Sequence, residues 1–206
     1  MQFILILDSA LSWKPHIDQL IPKLNSACYV IRFLKPIISM GNLRMVYFST
    51  VHSIISYGII FWGNSTYSNT IFKIQNRVIR IMMNVKNRES CRELFKKYNI
   101  LPLQSQYILS LLPFVVKNLN IFKSNAVVHT INTRNSSDLY LPSVHLSKVQ
   151  KAVYHSGIQI FNCLTPISGD MMKFRSALKR FLLEGSFYTI QEYFDWNLMT
   201  NPGKSY

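Results

Sequence analysis

Three cationic side chains recur at helical spacing in the middle of the chain. Lys73, Arg77 and Arg80 stand at i, i+4 and i+7, so on a helix they fall within one narrow stripe. Five more cations follow, namely Lys86, Arg88, Arg92, Lys96 and Lys97. A row of ammonium and guanidinium groups can track the phosphates of a nucleic acid without reading its bases. The pattern therefore predicts phosphate-backbone binding, and the alternative is a solvated polar face on an apolar helix.

Lys14 is a further candidate phosphate contact, because it lies between Trp13 and His16 near the N terminus. Aromatic rings next to a cation can stack on the bases of a bound strand. A tryptophan at the start of a helix also serves as a hydrophobic anchor, and for Trp13 this is the favoured interpretation.

The acidic residues do not form the clusters that metal-dependent catalysis needs. Phosphoryl transfer by a polymerase uses two Mg²⁺ ions held by neighbouring aspartates. The aspartates are Asp8, Asp18, Asp138, Asp170 and Asp195. Among them only Asp195 has another acid close by, Glu192, and a solvated helix face explains that pair. We therefore expect no catalytic residue, no metal site and no cofactor here, and a chain that is not catalytic by itself.

Histidines and cysteines give no stronger indication of chemistry. The histidines are scattered: His16, His52, His129, His145 and His155. A lone histidine on a helix is more often a surface or core residue than a general base. The cysteines Cys28, Cys91 and Cys163 are odd in number and far apart, which predicts neither a disulfide framework nor a zinc site.

The elements that must position the cations are predicted to be helices. Apolar periodicity and capping residues predict them at 13–35, 39–56, 71–84, 91–98, 104–119, 147–162, 170–184 and from 189 onward. Phe3 to Leu7 is a short apolar run that predicts one buried strand. Residues 123–146 are polar and without periodicity, which is typical of a linker. The predicted fold class is mainly α: a helical bundle, a smaller C-terminal helical subdomain and at most one short N-terminal strand.

Composition indicates a folded domain with an anionic partner. The chain has 206 residues, 49% of them hydrophobic, with 23 lysines and arginines against 9 acids and a formal net charge of +14. Self-repulsion of that size favours binding to nucleic acid first and to a membrane surface second. The stretch 43–62 could span a bilayer, but Arg44 and His52 favour a buried core helix. Without a basic region before the run 3–7, we expect an intracellular protein of nucleus or cytoplasm that is not secreted.

Ordered sequence blocks resemble one protein family. They are LD-x-x-L-x-W-x-x-HI (7–17), SACYVIRFLKP (26–36), SIISYGIIFWGNS (53–65), IQNRVIRIM (74–82) and SCRELFKKYNILPLQSQYI (90–108). Their succession resembles the C-terminal part of reverse transcriptases from non-LTR retrotransposons, above all jockey-type elements. Three later blocks are similar to the same proteins beyond the thumb: INTRNSSDLYLPS (131–143), YHSGIQIFN (154–162) and KFRSALKRFLLEGSFYTIQEYF (173–194).

The resemblance implies a domain organisation. In that family a palm hairpin that presents the primer reads aromatic-Leu-Gly-apolar-apolar-Leu-Asp, and the thumb helices follow it. The matching positions Gln2 to Asp8 lack the aromatic and the glycine. The catalytic Ala-Asp-Asp motif would lie upstream of residue 1, and Mg²⁺ would belong to that missing palm. The implied order is a palm or primer-grip remnant (1–12), a helical thumb-like domain (13–122), a linker (123–146), a C-terminal helical subdomain (147–194) and a tail (195–206).

The function implied is that of a truncated RNA-directed DNA polymerase fragment. It would retain binding to an RNA template and a DNA primer while lacking the catalytic palm, and the palm and fingers of a parent polymerase would be a second kind of partner. The alternative is an inactive transposon-derived helical protein that binds other proteins or associates with membranes. Salt separates the two hypotheses, because phosphate binding weakens steeply as salt rises whereas apolar association does not.

Overall fold

A computed structural model describes residues 4–86, 89–129, 136–164 and 171–200 of the chain. Helices dominate these residues and no sheet forms among them, which confirms the mainly helical fold class. The chain divides into two compact units, 1–107 and 108–206. This division lies earlier than the predicted linker at 123–146, and it falls inside a helix.

The first unit is built from a series of helices separated by short turns. They are α1 (Lys14–Leu34), α2 (Met40–Tyr47), α3 (Ser53–Ser56), α4 (Ile59–Trp62), α5 (Ser68–Met83), α6 (Arg92–Lys97) and the beginning of α7 (Leu103–Lys117). One π-helical segment, Phe48–His52, joins α2 to α3. The helix predicted at 39–56 is therefore continuous from Met40 to Ser56, with one widened turn inside it and Ser39 as its extended cap.

Helix α1 forms because its apolar residues recur every three or four positions. The buried face consists of Ile17, Leu20, Leu24, Ala27, Cys28 and Ile31. A carboxylate holds the turn before the helix: Asp8 Oδ1 accepts hydrogen bonds from the backbone N–H of Ser12 (2.9 Å) and of Trp13 (3.1 Å). The sequence predicts Ser12 as the cap of this helix, but the cap position is one residue later, at Trp13, which has a left-handed φ of 62°.

The segment from α2 to α4 supplies much of the core of the first unit. Its buried residues are Leu43, Tyr47, Val51, Ile54, Ile55, Ile59 and Trp62. Gly58 ends α3 in a left-handed conformation (φ 58°), where a Cβ atom would come within 2.7 Å of Leu5 Cδ2. Among the described residues, no helix is both long enough and apolar enough to cross a membrane.

Helix α5 is strongly amphipathic and lies beside α1. Its buried face includes Ile71, Phe72, Ile74, Gln75, Val78, Ile79 and Met82. The helix starts at Ser68, three positions before the predicted start at residue 71, and ends where Asn84 adopts a left-handed φ of 57°.

A buried amide connects three parts of the first unit. Gln75 Nε2 donates to the Tyr47 hydroxyl and to the Leu101 carbonyl, each at 2.9 Å, and Gln75 Oε1 accepts from the Leu103 N–H at 2.9 Å. Burial raises the pKa of the Tyr47 phenol, and the hydrogen bond from Gln75 acts in the opposite direction. The network joins α2, α5 and the start of α7 while leaving the Gln75 amide satisfied.

The second unit contains the remainder of α7 and the later helices. These are α8 (Asn125–His129), α9 (Ser147–Gln150), α10 (Val153–Asn162), α11 (Met171–Gly185) and α12 (Ile190–Thr200), with a 3₁₀ turn at Leu119–Ile121. Helix α10 lies close against α7, because a Cβ atom on Gly157 would come within 2.9 Å of Val115 Cγ2.

The motif Thr189-x-x-Glu192 predicts a capping box at the start of α12, and the structure shows both side chains bonding the backbone there, with the second bond going to the residue before the cap. Thr189 Oγ1 accepts from the Glu192 N–H at 3.1 Å, and Glu192 Oε2 accepts from the Tyr188 N–H at 3.0 Å. The helix then continues to Thr200, so the stretch 195–200, predicted as tail, is helical; residues 201–206 lie outside the described part.

The sequence also predicts capping boxes at Ser90-x-x-Glu93 and Ser147-x-x-Gln150, and both differ in the structure. Ser90 Oγ accepts from the Arg92 N–H (3.3 Å), and Cys91 takes the cap position of α6 without a capping bond from its side chain. The single helix predicted at 147–162 is divided into α9 and α10 at Ala152, whose backbone is extended (φ −69°, ψ 157°), and the Gln150 side chain donates to the Val144 carbonyl (2.8 Å). A side chain bonded outside the helix cannot complete a capping box.

The predicted N-terminal strand is wrong for the residues that the structure describes. Residues 4–8 form no strand, and Ile4 and Leu7 are 61% and 63% exposed. A strand requires a partner strand, and the described residues contain none. Leu5 instead packs against Gly58.

The described parts of the predicted linker carry defined hydrogen bonds. Ser124 and Leu139 form an isolated antiparallel bridge. The Asn162 side chain accepts from the Leu139 N–H (3.0 Å) and donates to the Leu139 carbonyl (2.8 Å). The stretch 130–135, within the same predicted linker, lies outside the described residues.

Candidate nucleic-acid interface

Helices α1 and α5 bring cations from both sides into one surface depression. Two adjoining parts of it share Arg32, Arg80 and Ile81. We call this depression the basic groove, and its cationic lining residues are Arg32, Lys35, Lys73, Arg77, Arg80 and Lys86.

Short contacts hold the two walls of the basic groove together. Lys35 Nζ donates to Asn84 Oδ1 at 2.9 Å, which joins the ends of α1 and α5. Burial raises the pKa of the Cys28 thiol on α1, and the nearby charges of Arg32 and Arg77 partly oppose that shift. One guanidinium from each helix therefore lies near the same sulfur atom.

The positive charge of the basic groove is not neutralised by acidic side chains. Within residues 4–86 and 89–129, none of its six cations forms an ion pair; the pairs of Lys14 with Asp18 (3.7 Å) and of Lys96 with Glu93 (3.2 Å) involve cations that do not line the groove. The first unit as a whole has 13 lysines and arginines against 4 acids. An uncompensated cluster of this kind attracts anions over several ångströms.

Arg80 has a structural role in addition to lining the groove. Its Nε and Nη2 atoms donate to the Glu89 carbonyl at 3.1 and 2.9 Å. Burial raises the pKa of Cys91, and the Arg80 charge partly offsets this effect. Arg80 therefore fixes the segment after α5, and its replacement would change structure as well as charge.

The structure brings together only part of the predicted basic stripe. Lys73, Arg77, Arg80 and Lys86 line the basic groove, whereas the cations of α6 are not among its described lining residues. On α6, half-buried Arg92 follows the cap, Lys96 pairs with Glu93, and Lys97 lies over the Tyr98 ring at 5.6 Å. Arg88 lies outside the described residues.

Lys14 is remote from the basic groove. It begins α1, whereas Arg32 is in the last turn, which at 1.5 Å per residue separates them by about 27 Å along the helix. Its neighbour Trp13 stacks on Phe61 with ring centroids 6.1 Å apart. This packing agrees with the interpretation of Trp13 as an anchor.

Sequence reasoning missed Arg32 and Lys35. The apolar periodicity of α1 is enough to predict that Arg32 lies at the edge of the buried face. The local pattern does not show that α5 packs along this edge, because that is a matter of tertiary structure.

No side chains in the described part of the chain form a group of three or more potential metal ligands. His16 is 1% exposed, lies near the rings of Trp13 and Trp62, and neither of its nitrogens has a hydrogen-bond partner. Burial lowers the pKa of His16, and the charge of Lys23 lowers it further. A neutral imidazole enclosed in this way is a core residue.

Comparisons of the chain with protein-family models, with curated proteins and with solved structures find no match. The resemblance to reverse transcriptases therefore stays a prediction from the sequence blocks.

Proposed function

We propose that the chain binds the sugar-phosphate backbone of nucleic acid in the basic groove, as the thumb-like part of a non-LTR reverse transcriptase would hold an RNA template and a DNA primer. The observation that carries the proposal is the convergence of six cations from α1, α5 and the segment after α5, without acidic partners. Such a protein would act in the nucleus or the cytoplasm. The palm and fingers of a parent polymerase would be its second kind of partner.

Binding of this kind depends on phosphate charge. Each phosphate contact releases condensed counterions. The slope of log affinity against log salt is therefore proportional to the number of contacts. Cations on both walls can contact a backbone lying between them, and they have no fixed relation to the base edges. We therefore expect little sequence preference.

The proposal is for binding without a reaction. In the first unit the Asp8 carboxylate accepts the hydrogen bonds that hold the turn before α1, and Asp18 pairs with Lys14. Both aspartates thus have structural partners, and both lie near the N-terminal end of α1, away from the basic groove.

A second candidate function is an apolar interaction with another protein or with a membrane surface. It is favoured by exposed apolar residues on and after α1, where Tyr29, Phe33 and Ile37 are 69%, 62% and 64% exposed. Apolar association is maintained or strengthened as salt rises, which is opposite to the behaviour of phosphate binding.

The test removes charge from the basic groove while keeping Arg80. We expect the triple variant Arg32→Ala, Lys73→Ala, Arg77→Ala to bind duplex more weakly and to lower the slope of log affinity against log salt by about two to three. Fluorescence anisotropy with a labelled RNA–DNA primer-template duplex at several salt concentrations measures the slope. Circular dichroism and thermal melting must first show that the variant stays folded.

A matched control removes three charges from the other unit. Lys173, Lys179 and Arg180 are exposed on α11, so the variant Lys173→Ala, Lys179→Ala, Arg180→Ala has the same net charge as the groove variant. An unchanged slope in this control supports a site in the basic groove. An equal loss in both variants would mean that overall charge determines binding, and an unchanged slope in the groove variant would contradict the proposal.

A further inference from the structure

Two aromatic rings stand in solvent beside the basic groove. Tyr29 and Phe33 on α1 are 69% and 62% exposed, and Arg32, which lines the groove, lies between them in sequence. Neither ring pairs with another ring or forms a hydrogen bond within the part of the chain that the structure describes. Aromatic side chains normally bury a large area, so two free rings on one helix face indicate a binding surface.

We call Tyr29 and Phe33 the aromatic ridge. The two residues are four positions apart, which places them on the same side of α1 about 6 Å from each other along its axis. Val30 and Ile37, 41% and 64% exposed, extend the apolar surface. Arg32, one of the groove cations, follows Tyr29 by three positions on α1, so its guanidinium lies on the neighbouring part of the helix surface and favours an anionic ligand there.

We propose that the aromatic ridge stacks on unpaired bases of a single-stranded nucleic acid whose phosphates lie in the basic groove. This inference rests on the proposed function and adds a substrate class to it: besides a primer-template duplex, the basic groove takes an unpaired strand. Each nucleotide has an anionic phosphate and a planar, apolar base, so it matches a cationic groove bordered by free rings. An apolar protein partner or a lipid tail fits this surface less well. It would lie against the Arg32 guanidinium and offer no negative charge to neutralise it.

The spacing of the ridge favours an unpaired strand over a duplex. Successive nucleotides of a duplex strand are about 3.4 Å apart along the axis, whereas the two rings are about 6 Å apart. In a duplex the base faces are also covered by their neighbours. An extended strand with separated bases can present one base to each ring.

The test separates stacking from both charge and apolarity. The variant Tyr29→Leu, Phe33→Leu keeps all groove cations and an apolar surface but loses both π-faces. Its probes are a labelled oligothymidylate and an abasic strand with the same number of phosphates. We expect the wild-type chain to prefer the oligothymidylate by about fivefold or more for each stacked ring, and the leucine variant to lose this preference.

Two further measurements complete the design. The salt slope on the abasic strand should be the same for the wild type and the leucine variant, because no cation has changed. The variant Tyr29→Trp, Phe33→Trp should keep or increase the preference for bases. The leucine variant should melt as the wild type does, because both side chains are mostly exposed.

The outcomes distinguish this inference from the proposed function. If removal of groove charge lowers the salt slope but the leucine variant keeps the full preference for bases, the aromatic ridge is not a stacking surface and only this inference is overturned. If removal of groove charge leaves the slope unchanged, the proposed function fails and the inference fails with it. Binding of both the wild type and the leucine variant to phosphatidylcholine vesicles, with the preference for bases unchanged in the leucine variant, would assign the ridge to a membrane and overturn the inference.

Discussion

At the scale of single residues, enclosed polar atoms without partners have the clearest energetic consequence. The two ring nitrogens of His16 are buried between aromatic side chains and make no hydrogen bond. A buried polar group without a partner lowers the stability of the folded state, and protonating it there lowers stability further. The sequence placed His16 on α1 but could not show its enclosure, which depends on Trp62, far along the chain.

His16 should make stability depend on pH in the mildly acidic range. Its folded-state pKa is lowered from the ordinary value of 6.5, because burial disfavours the charged ring. As pH falls below that value the unfolded chain takes up a proton that the folded chain resists, so the free energy of unfolding decreases. We expect His16→Leu to flatten this decrease between about pH 7 and pH 5 without loss of stability at neutral pH.

Urea unfolding at a series of pH values measures this effect. The exposed His145 provides a matched control, and His145→Gln should retain the wild-type dependence. A wild-type dependence that persists in His16→Leu would show that another group causes it.

At the scale of elements, the sequence predicts the features that depend on only a few neighbouring residues. The apolar period of α5 and the capping box of α12 were readable because each requires only residues within a turn or two. The break between α9 and α10 was not predicted, because nothing in the local pattern indicates that the Ala152 backbone is extended. Two of the six groove cations, Arg32 and Lys35, were missed because the pairing of α1 with α5 joins distant segments.

The buried amide of Gln75 should be a strong determinant of the first unit's stability. Gln75→Leu keeps the volume but removes three hydrogen bonds, leaving the Leu103 N–H and the Leu101 carbonyl buried without partners. We expect a loss of about 2–5 kcal/mol in the free energy of unfolding. Tyr47→Phe removes only one of these bonds and should lose about 1 kcal/mol.

Chemical unfolding of both variants and of the double variant tests this expectation. Because the two side chains share one bond, their effects should not be additive. A cost for Gln75→Leu no larger than that for Tyr47→Phe would mean that the backbone groups find other partners.

At the scale of the whole molecule, the N-terminal segment leaves apolar surface uncovered. Ile4, Leu7 and Leu11 are 61%, 63% and 59% exposed, whereas Leu5 packs against Gly58. The sequence predicted a buried strand over residues 3–7, but the described residues 4–7 form no strand and leave Ile4 and Leu7 exposed.

This surface should cause self-association. We expect the double variant Ile4→Lys, Leu7→Lys to shift the chain toward the monomer, because charge replaces two exposed apolar side chains. Light scattering at several protein concentrations measures the shift. The control Met172→Lys, Met199→Lys adds the same charge at residues that are 78% and 83% exposed in the second unit. Equal shifts in both variants would attribute the change to net charge alone.

The positions of the tryptophans give the protein an optical signal for each unit. Trp13 stacks on Phe61 and Trp62 is fully buried, with its indole N–H donating to the Tyr57 carbonyl at 3.0 Å. Trp196 is 39% exposed and belongs to the second unit. Trp196→Phe would leave emission from the first unit only, so quenching and spectral shifts could follow each unit during unfolding or ligand titration without an attached dye.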